Sequence, residues 1–116
     1  MNNKKRTIVY ISGKMTGLPD LGRANFNYAE QVLSSAGYVV LNPALLPEGM
    51  AYPQYMAIAV AMLQQADMIC MLPGWETSRG ASAEKAYAES VGMPVVSLME
   101  FLNVANNLRN SYSEAI

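Results

Sequence analysis

Four short apolar runs set the limits on what this chain can fold into: TIVYIS (residues 7–12), YVVLN (38–42), MICML (68–72) and VVSL (95–98). They are continuously apolar rather than alternating, the pattern of a strand covered on both faces. Helical stretches separate them. Phe26, Ala29, Leu33 and Ala36 recur at helical spacing, and Gly37 supplies a stop. Pro53 suits the first turn of a second helix that runs to about Ala66. The alanine-rich residues 81–91 predict a third, stopped by Gly92 and Pro94, and residues 99 to about 109 a fourth, with 110–116 expected to fray. Strand and helix alternate throughout, which implies a parallel sheet with right-handed crossovers. The expectation is a three-layer α/β fold of flavodoxin-like or Rossmann-like type, with four or five parallel strands.

A chain of 116 residues makes a single domain, here with its core at about residues 7–109. Hydrophobic residues are 52% and charged residues 15%, which argues for much buried surface and against disorder. The net charge of -1 gives no reason to expect a nucleic-acid polymer or an acidic membrane as partner. No apolar segment precedes the first strand, so no signal peptide is expected, and the longest apolar run, residues 56–63, is too short to span a bilayer. One cysteine, Cys70, has no internal disulfide partner, which fits a cytoplasmic location. With no histidine and one cysteine, neither a zinc site nor a Ser-His or Cys-His pair within the chain is expected, and no cofactor is implied.

In open α/β sheets, ligands bind outside the carboxyl ends of the strands. Those ends here are SGKMTG (12–17), Asn42 with Pro43, and PGWETSRG (73–80), the segments richest in polar residues and glycine. Glu84 follows the last of them. It stands at i relative to Tyr87, Ala88 and Val91 at i+3, i+4 and i+7, so it extends an apolar helical stripe, whereas Glu89 falls elsewhere and can pair with Lys85. Glu84 is therefore either an acid favoured near a helix N-terminus by about 0.3–1 kcal/mol, or a carboxylate facing the crevice, where it could attack an electrophilic carbon. SGKMTG is either an ordinary strand-to-helix loop or a backbone cradle for phosphate. It is not a Walker A loop, because Ile8 stands where that motif needs glycine and Met15 where it needs Ser or Thr. Tyr10 is a core residue or one whose hydroxyl reaches the strand end. Trp75 either stacks on a ring or packs on its own domain, and Ser78 contacts an anion or caps a helix. Arg79 stands beside it. Asp67 reads as a structural turn acid at the amino end of the third strand. YMAIAVAML (55–63) is apolar around its circumference, a dimer face or a buried helix.

YISGKMTG, the helix carrying Phe26, GYVVLNPA, and QQADMICMLPGWETSRGASAEKAYAESVGMPV together resemble an uncharacterised family common in phages and prophages. That family is similar in turn to the nucleoside 2-deoxyribosyltransferases and the 2′-deoxynucleoside 5′-monophosphate N-glycosidases. The resemblance spans about residues 7–98, and its specific part is S-x-G-x-x-x-E (Ser78, Gly80, Glu84), an alanine-rich helix and G-x-P (92–94). It implies that Glu84 is the nucleophile at the anomeric carbon of a deoxyribosyl group, with Tyr10 beside it. Gly13, Lys14, Met15 and Thr16 match a loop that holds a 5′-phosphate, and Ser78 matches a phosphate-contacting serine. Ser12, Asn42, Trp75 and Gly80 complete the expected substrate-binding set. A glycosyl-enzyme ester would then be released by water or a second base with retention.

The characterised relatives carry a further carboxylate on the second helix, where this chain has Ala59. Glu76, Glu48 or a residue of a partner chain are the candidates to replace it. The resemblance implies an enzyme, a homo-oligomer that cleaves or exchanges the N-glycosidic bond of a 2′-deoxyribonucleoside or its 5′-monophosphate, with hydrolysis preferred because SGKMTG suits phosphate. The alternatives are a nucleotide-binding module without the chemistry, and a phage or host interaction protein that uses the apolar second helix.

Overall fold

The computed structural model describes residues 5–103. Its strands are β1 (Ile8–Ser12), β2 (Val39–Leu41), β3 (Met68–Met71) and β4 (Val95–Ser97). Its helices are α1 (Arg23–Ser35), α2 (Tyr52–Gln64) and α3 (Arg79–Ser90), with single 3-10 turns at Pro19–Gly22, Pro43–Leu45 and Trp75–Thr77. Residues 98–103 are helical. The remainder of the expected fourth helix and the 110–116 tail lie outside the described residues.

The four strands form one parallel sheet in the order β2-β1-β3-β4. Ile8 pairs with Val39, Val9 with Met68, and Ile69 with Val95. From β1 the chain first moves outward to β2, then crosses back to place β3 on the other side of β1. Its direction of travel thus reverses beside β1, and the crevice at the β1–β3 carboxyl ends is the switch point where such sheets take ligands.

Alternation along β1 divides the core. Val9 and Ile11 pack with Phe26, Ala29 and Leu33 of α1 and with Leu98. Tyr10 faces the other way, with Ile69 and Met71 of β3, Leu63 of α2 and Ala81 and Ala88 of α3. With α1 and the helical residues 98–103 on one face and α2 and α3 on the other, this is the three-layer arrangement the strand–helix alternation predicts. Burial of side chains such as Phe26 and Leu33 is worth about 1.5–3 kcal/mol each, and Leu63→Ala is expected to cost about 2–5 kcal/mol.

Two stripe residues are corrected by the structure. Ala36 and Val91 are exposed, because α1 ends at Ser35 and α3 at Ser90, leaving each just past its helix. The inward stripe of α3 instead runs through Ala81 and Ala88, both buried, with the half-buried Glu84 between them. The second helix resolves into two faces: Ala59 and Leu63 are buried, while Ile58 and Val60 are exposed. No described helix is long and apolar enough to cross a membrane.

Candidate active site

Tyr10 and Ser12 are two residues apart on β1, so both side chains project from the same face of the sheet. Glu84 comes down to meet them from α3. The Tyr10 hydroxyl donates to Glu84 Oε2 at 2.6 Å, and the Ser12 hydroxyl donates to Oε1 at 2.7 Å. Both are short, charge-assisted hydrogen bonds. They use one lone pair on each carboxylate oxygen and leave another for a ligand.

Burial raises the Glu84 pKa above the ordinary glutamate value, and the hydrogen bonds from Tyr10 and Ser12 pull it partly back. The Tyr10 hydroxyl is pushed far up, first by burial and then by the neighbouring Glu84 charge and hydrogen bond, so it stays protonated and acts as a donor. A carboxylate in this setting is partly stripped of water and held in one orientation by two donors. Those are the properties of an oxygen nucleophile.

Glu84 opens into a cleft of ≈ 870 Å³ at the carboxyl ends of the strands. Tyr10, Gly13, Lys14, Met15 and Thr16 line it from β1 and its loop, and Ser78, Arg79 and Gly80 from the start of α3. Lys14 Nζ donates to Thr77 Oγ1 at 3.2 Å, joining these two segments. Ser78 caps α3, its hydroxyl accepting from the Ala81 N–H at 3.1 Å, and it also borders the cleft. Gly13 is required by close packing, since a Cβ there would stand 2.8 Å from the Leu72 side chain.

The structure does not bring every expected binding residue to the cleft wall. Ser12 sits behind Glu84 and reaches the cleft only through it. Asn42 is buried; its side chain accepts from the Ala44 N–H at 2.9 Å and donates to Asn27 at 3.3 Å, so it caps a turn. Trp75 packs on the α3 side of the core, with Lys85 Nζ 5.2 Å from its ring centre. Glu76 is exposed and does not line the cleft, whereas Ala59 and Glu48 do.

Sequence reasoning missed Arg23. Its guanidinium lines the cleft and meets Asp20 at 2.6 Å and Glu48 at 3.1 Å. It is presented by three successive residues with positive φ, Asp20 (48°), Leu21 (54°) and Gly22 (70°). For the two non-glycine residues that conformation costs about 1–2 kcal/mol each. At Gly22 a Cβ would also stand 2.9 Å from the Lys14 carbonyl. The signal in the sequence was the glycine immediately before an arginine at a helix start, which by itself does not single out a site. Tyr52, Tyr55 and Met56 of α2 also line the cleft; Tyr55 and Met56 were read only as part of an apolar helix, and Tyr52 was not singled out. Among the described residues no group of three or more acidic or cysteine side chains is placed to hold a metal ion.

The fold is similar to that of a 2-deoxyribosyltransferase from the psychrotolerant bacterium Bacillus psychrosaccharolyticus, with a TM-score of 0.64 at 18% sequence identity over 78% of this chain and 71% of that one. At that identity the likeness establishes the architecture. No curated protein matches the sequence. The model of one family, described as a domain of unknown function (DUF4406), matches residues 7–97. That match takes in all four strands, the cleft and Glu84, and the chain belongs to the DUF4406 family.

Proposed function

We propose that this protein breaks the N-glycosidic bond of a 2′-deoxyribonucleoside or its 5′-monophosphate, with Glu84 as nucleophile. The observation that carries the reading is the Glu84 carboxylate, held by Tyr10 at 2.6 Å and Ser12 at 2.7 Å inside the switch-point cleft. The 2-deoxyribosyltransferase architecture supports it. One Glu84 oxygen attacks the anomeric carbon as the bond to the base nitrogen breaks, and the electron pair leaves with the base. Water or a second base then attacks the same carbon and frees the carboxylate. Two inversions give overall retention.

Hydrolysis of a monophosphate is the preferred form. Lys14, Ser78 and Arg79 gather beside the N-terminus of α3, where cations, a hydroxyl and helix N–H groups suit a phosphate. Lys14→Ala is expected to weaken monophosphates more than nucleosides, and equal effects on both would remove the phosphate assignment. The exposed Ile58 and Val60 of α2 are taken as the contact face of a homo-oligomer. Light scattering checks this, and a monomer at micromolar concentration speaks against it.

The test is incubation with each 2′-deoxynucleoside and 5′-monophosphate, with free base followed by chromatography. Release that is lost in Glu84→Ala and Glu84→Gln supports the reading. A second reading, a nucleotide-binding module without chemistry, is favoured by Ala59 on the cleft wall, where the resemblance places a carboxylate in the relatives. Saturable nucleotide binding with no base released from any substrate would establish that one instead.

A further inference from the structure

The cleft has two chemically different halves. Around the start of α3 and the loop after β1 it is polar, with Lys14, Thr16, Thr77, Ser78 and Arg79. Its other half, from residues 21–26, 43–50 and the first turns of α2, is apolar and aromatic, with Leu21, Phe26, Leu46, Met50, Tyr52 and Tyr55. The first half suits a phosphate or sugar hydroxyls, and the second a flat heteroaromatic ring. Among the described residues, the charged ones set in the apolar half are Arg23 and Glu48.

These two charges are not equally placed. The Arg23 side chain is 20% exposed, while its partners Asp20 and Glu48 are 73% and 77% exposed. Water screens the two exposed carboxylates more than it screens the guanidinium, so they offset its charge only in part. Its surroundings are also fixed. Tyr55 donates its hydroxyl proton to the Pro47 carbonyl at 2.6 Å and accepts from the Met50 N–H at 3.3 Å, pinning the Glu48 loop to α2. Asp20 and Glu48 both meet the guanidinium at Nη1, on a group with five N–H donors.

Resting on the reading of Glu84 as nucleophile, we propose that Arg23 is a second catalytic residue, a fixed cation that takes up the negative charge developing on the departing base. As the Glu84 oxygen bonds to the anomeric carbon, the carbon–nitrogen bond breaks and its electron pair spreads over the ring nitrogens and oxygens of the base. Arg23 N–H groups hydrogen-bond to that charge. A guanidinium does not surrender its proton, so the base leaves as an anion and takes a proton from water. Met56 and Ala59 of α2, which also line the cleft, supply bulk and no proton. The favoured substrates are those whose base bears negative charge well, with ring N–H groups and carbonyl oxygens.

The experiment measures kcat/KM for base release from a series of 2′-deoxynucleoside substrates graded by leaving-base acidity, in wild type, Arg23→Gln, Arg23→Lys and Glu48→Gln. Arg23→Gln is expected to lose on the order of 10²-fold with the least acidic base and much less with the most acidic, steepening the dependence. Arg23→Lys, which keeps the charge, recovers part of the loss. Glu48→Gln, which removes a competing carboxylate, makes the dependence shallower, and this arm decides the matter if Arg23→Gln does not fold. Losses of one factor across all bases, or an unchanged dependence in Glu48→Gln, overturn the role of Arg23 while leaving Glu84 intact. If wild type releases base from none of the series, the reading of Glu84 fails and this inference fails with it.

Discussion

Asp67 and Glu84 are both carboxylates bound to β1, one at each end, and their environments push them in opposite directions. At the amino end, Asp67 accepts the Ile8 backbone N–H at 2.9 Å and the Lys5 ammonium at 3.1 Å. Those bonds, the Ile8 amide first, hold its pKa below the ordinary aspartate value. The charged form is favoured by folding, so Asp67 contributes stability above its unfolded pKa that is lost as pH falls through the folded one. At the carboxyl end, burial holds Glu84 above the ordinary value despite its two hydroxyl donors. Relative to the unfolded chain, its contribution is fully present only below the unfolded pKa and is lost as pH rises through the folded one. Above its unfolded pKa, Glu84 is therefore a cost to the fold. A carboxylate held at a cost to the fold and opening into a cleft at the strand ends fits the chemical role proposed for it.

The sharpest way to break this contrast is Glu84→Gln. Base release is expected to fall by about 10⁴-fold or more, while the melting temperature at neutral pH rises. A large loss of stability would place Glu84 with Asp67 as a structural acid. Tyr10→Phe removes one of the hydrogen bonds that favour the carboxylate. Activity should drop roughly 10- to 100-fold, and the acid limb of the pH–rate profile, where Glu84 protonates, should move to higher pH. An unmoved limb would detach Tyr10 from the titration of Glu84. Gly13→Ala, whose Cβ would stand 2.8 Å from Leu72, is expected to cost about 1–3 kcal/mol in urea denaturation. Leu72→Ala should offset part of that cost. The smallest effect belongs to Asp67→Asn: activity is unchanged, stability falls at neutral pH, and the gap to wild type closes as the pH is lowered below the aspartate range. A gap independent of pH would contradict the assignment.

Much of this contrast was legible in the chain. The continuous apolar runs and their spacing predicted all four strands, and the S-x-G-x-x-x-E pattern pointed to Glu84 at the carboxyl ends. Asp67 was readable from its place before β3. What sequence did not disclose was geometry that arises from packing between distant segments. Trp75 turned to the α3 side of the core because that face offered it apolar neighbours and Lys85. Asn42 became a turn cap because a buried amide must satisfy its own polar atoms. Arg23 emerged as a cleft residue only because an unusual left-handed run, Asp20 to Gly22, turns α1's start toward a loop from β2. No local period or motif encodes that meeting. The stripe on α3 was read one turn too far, at Val91, because the helix stops at Ser90.

The most direct test of the account is to quench the protein with acid during turnover of a 2′-deoxynucleoside 5′-monophosphate, weigh it intact, and map the modified peptide. A fraction of the protein is expected to be heavier by one deoxyribosyl phosphate unit, linked as an ester to Glu84, and none in Glu84→Gln. Base release with no adduct at Glu84 even when ester breakdown is slowed, or an adduct on any other residue, would contradict it.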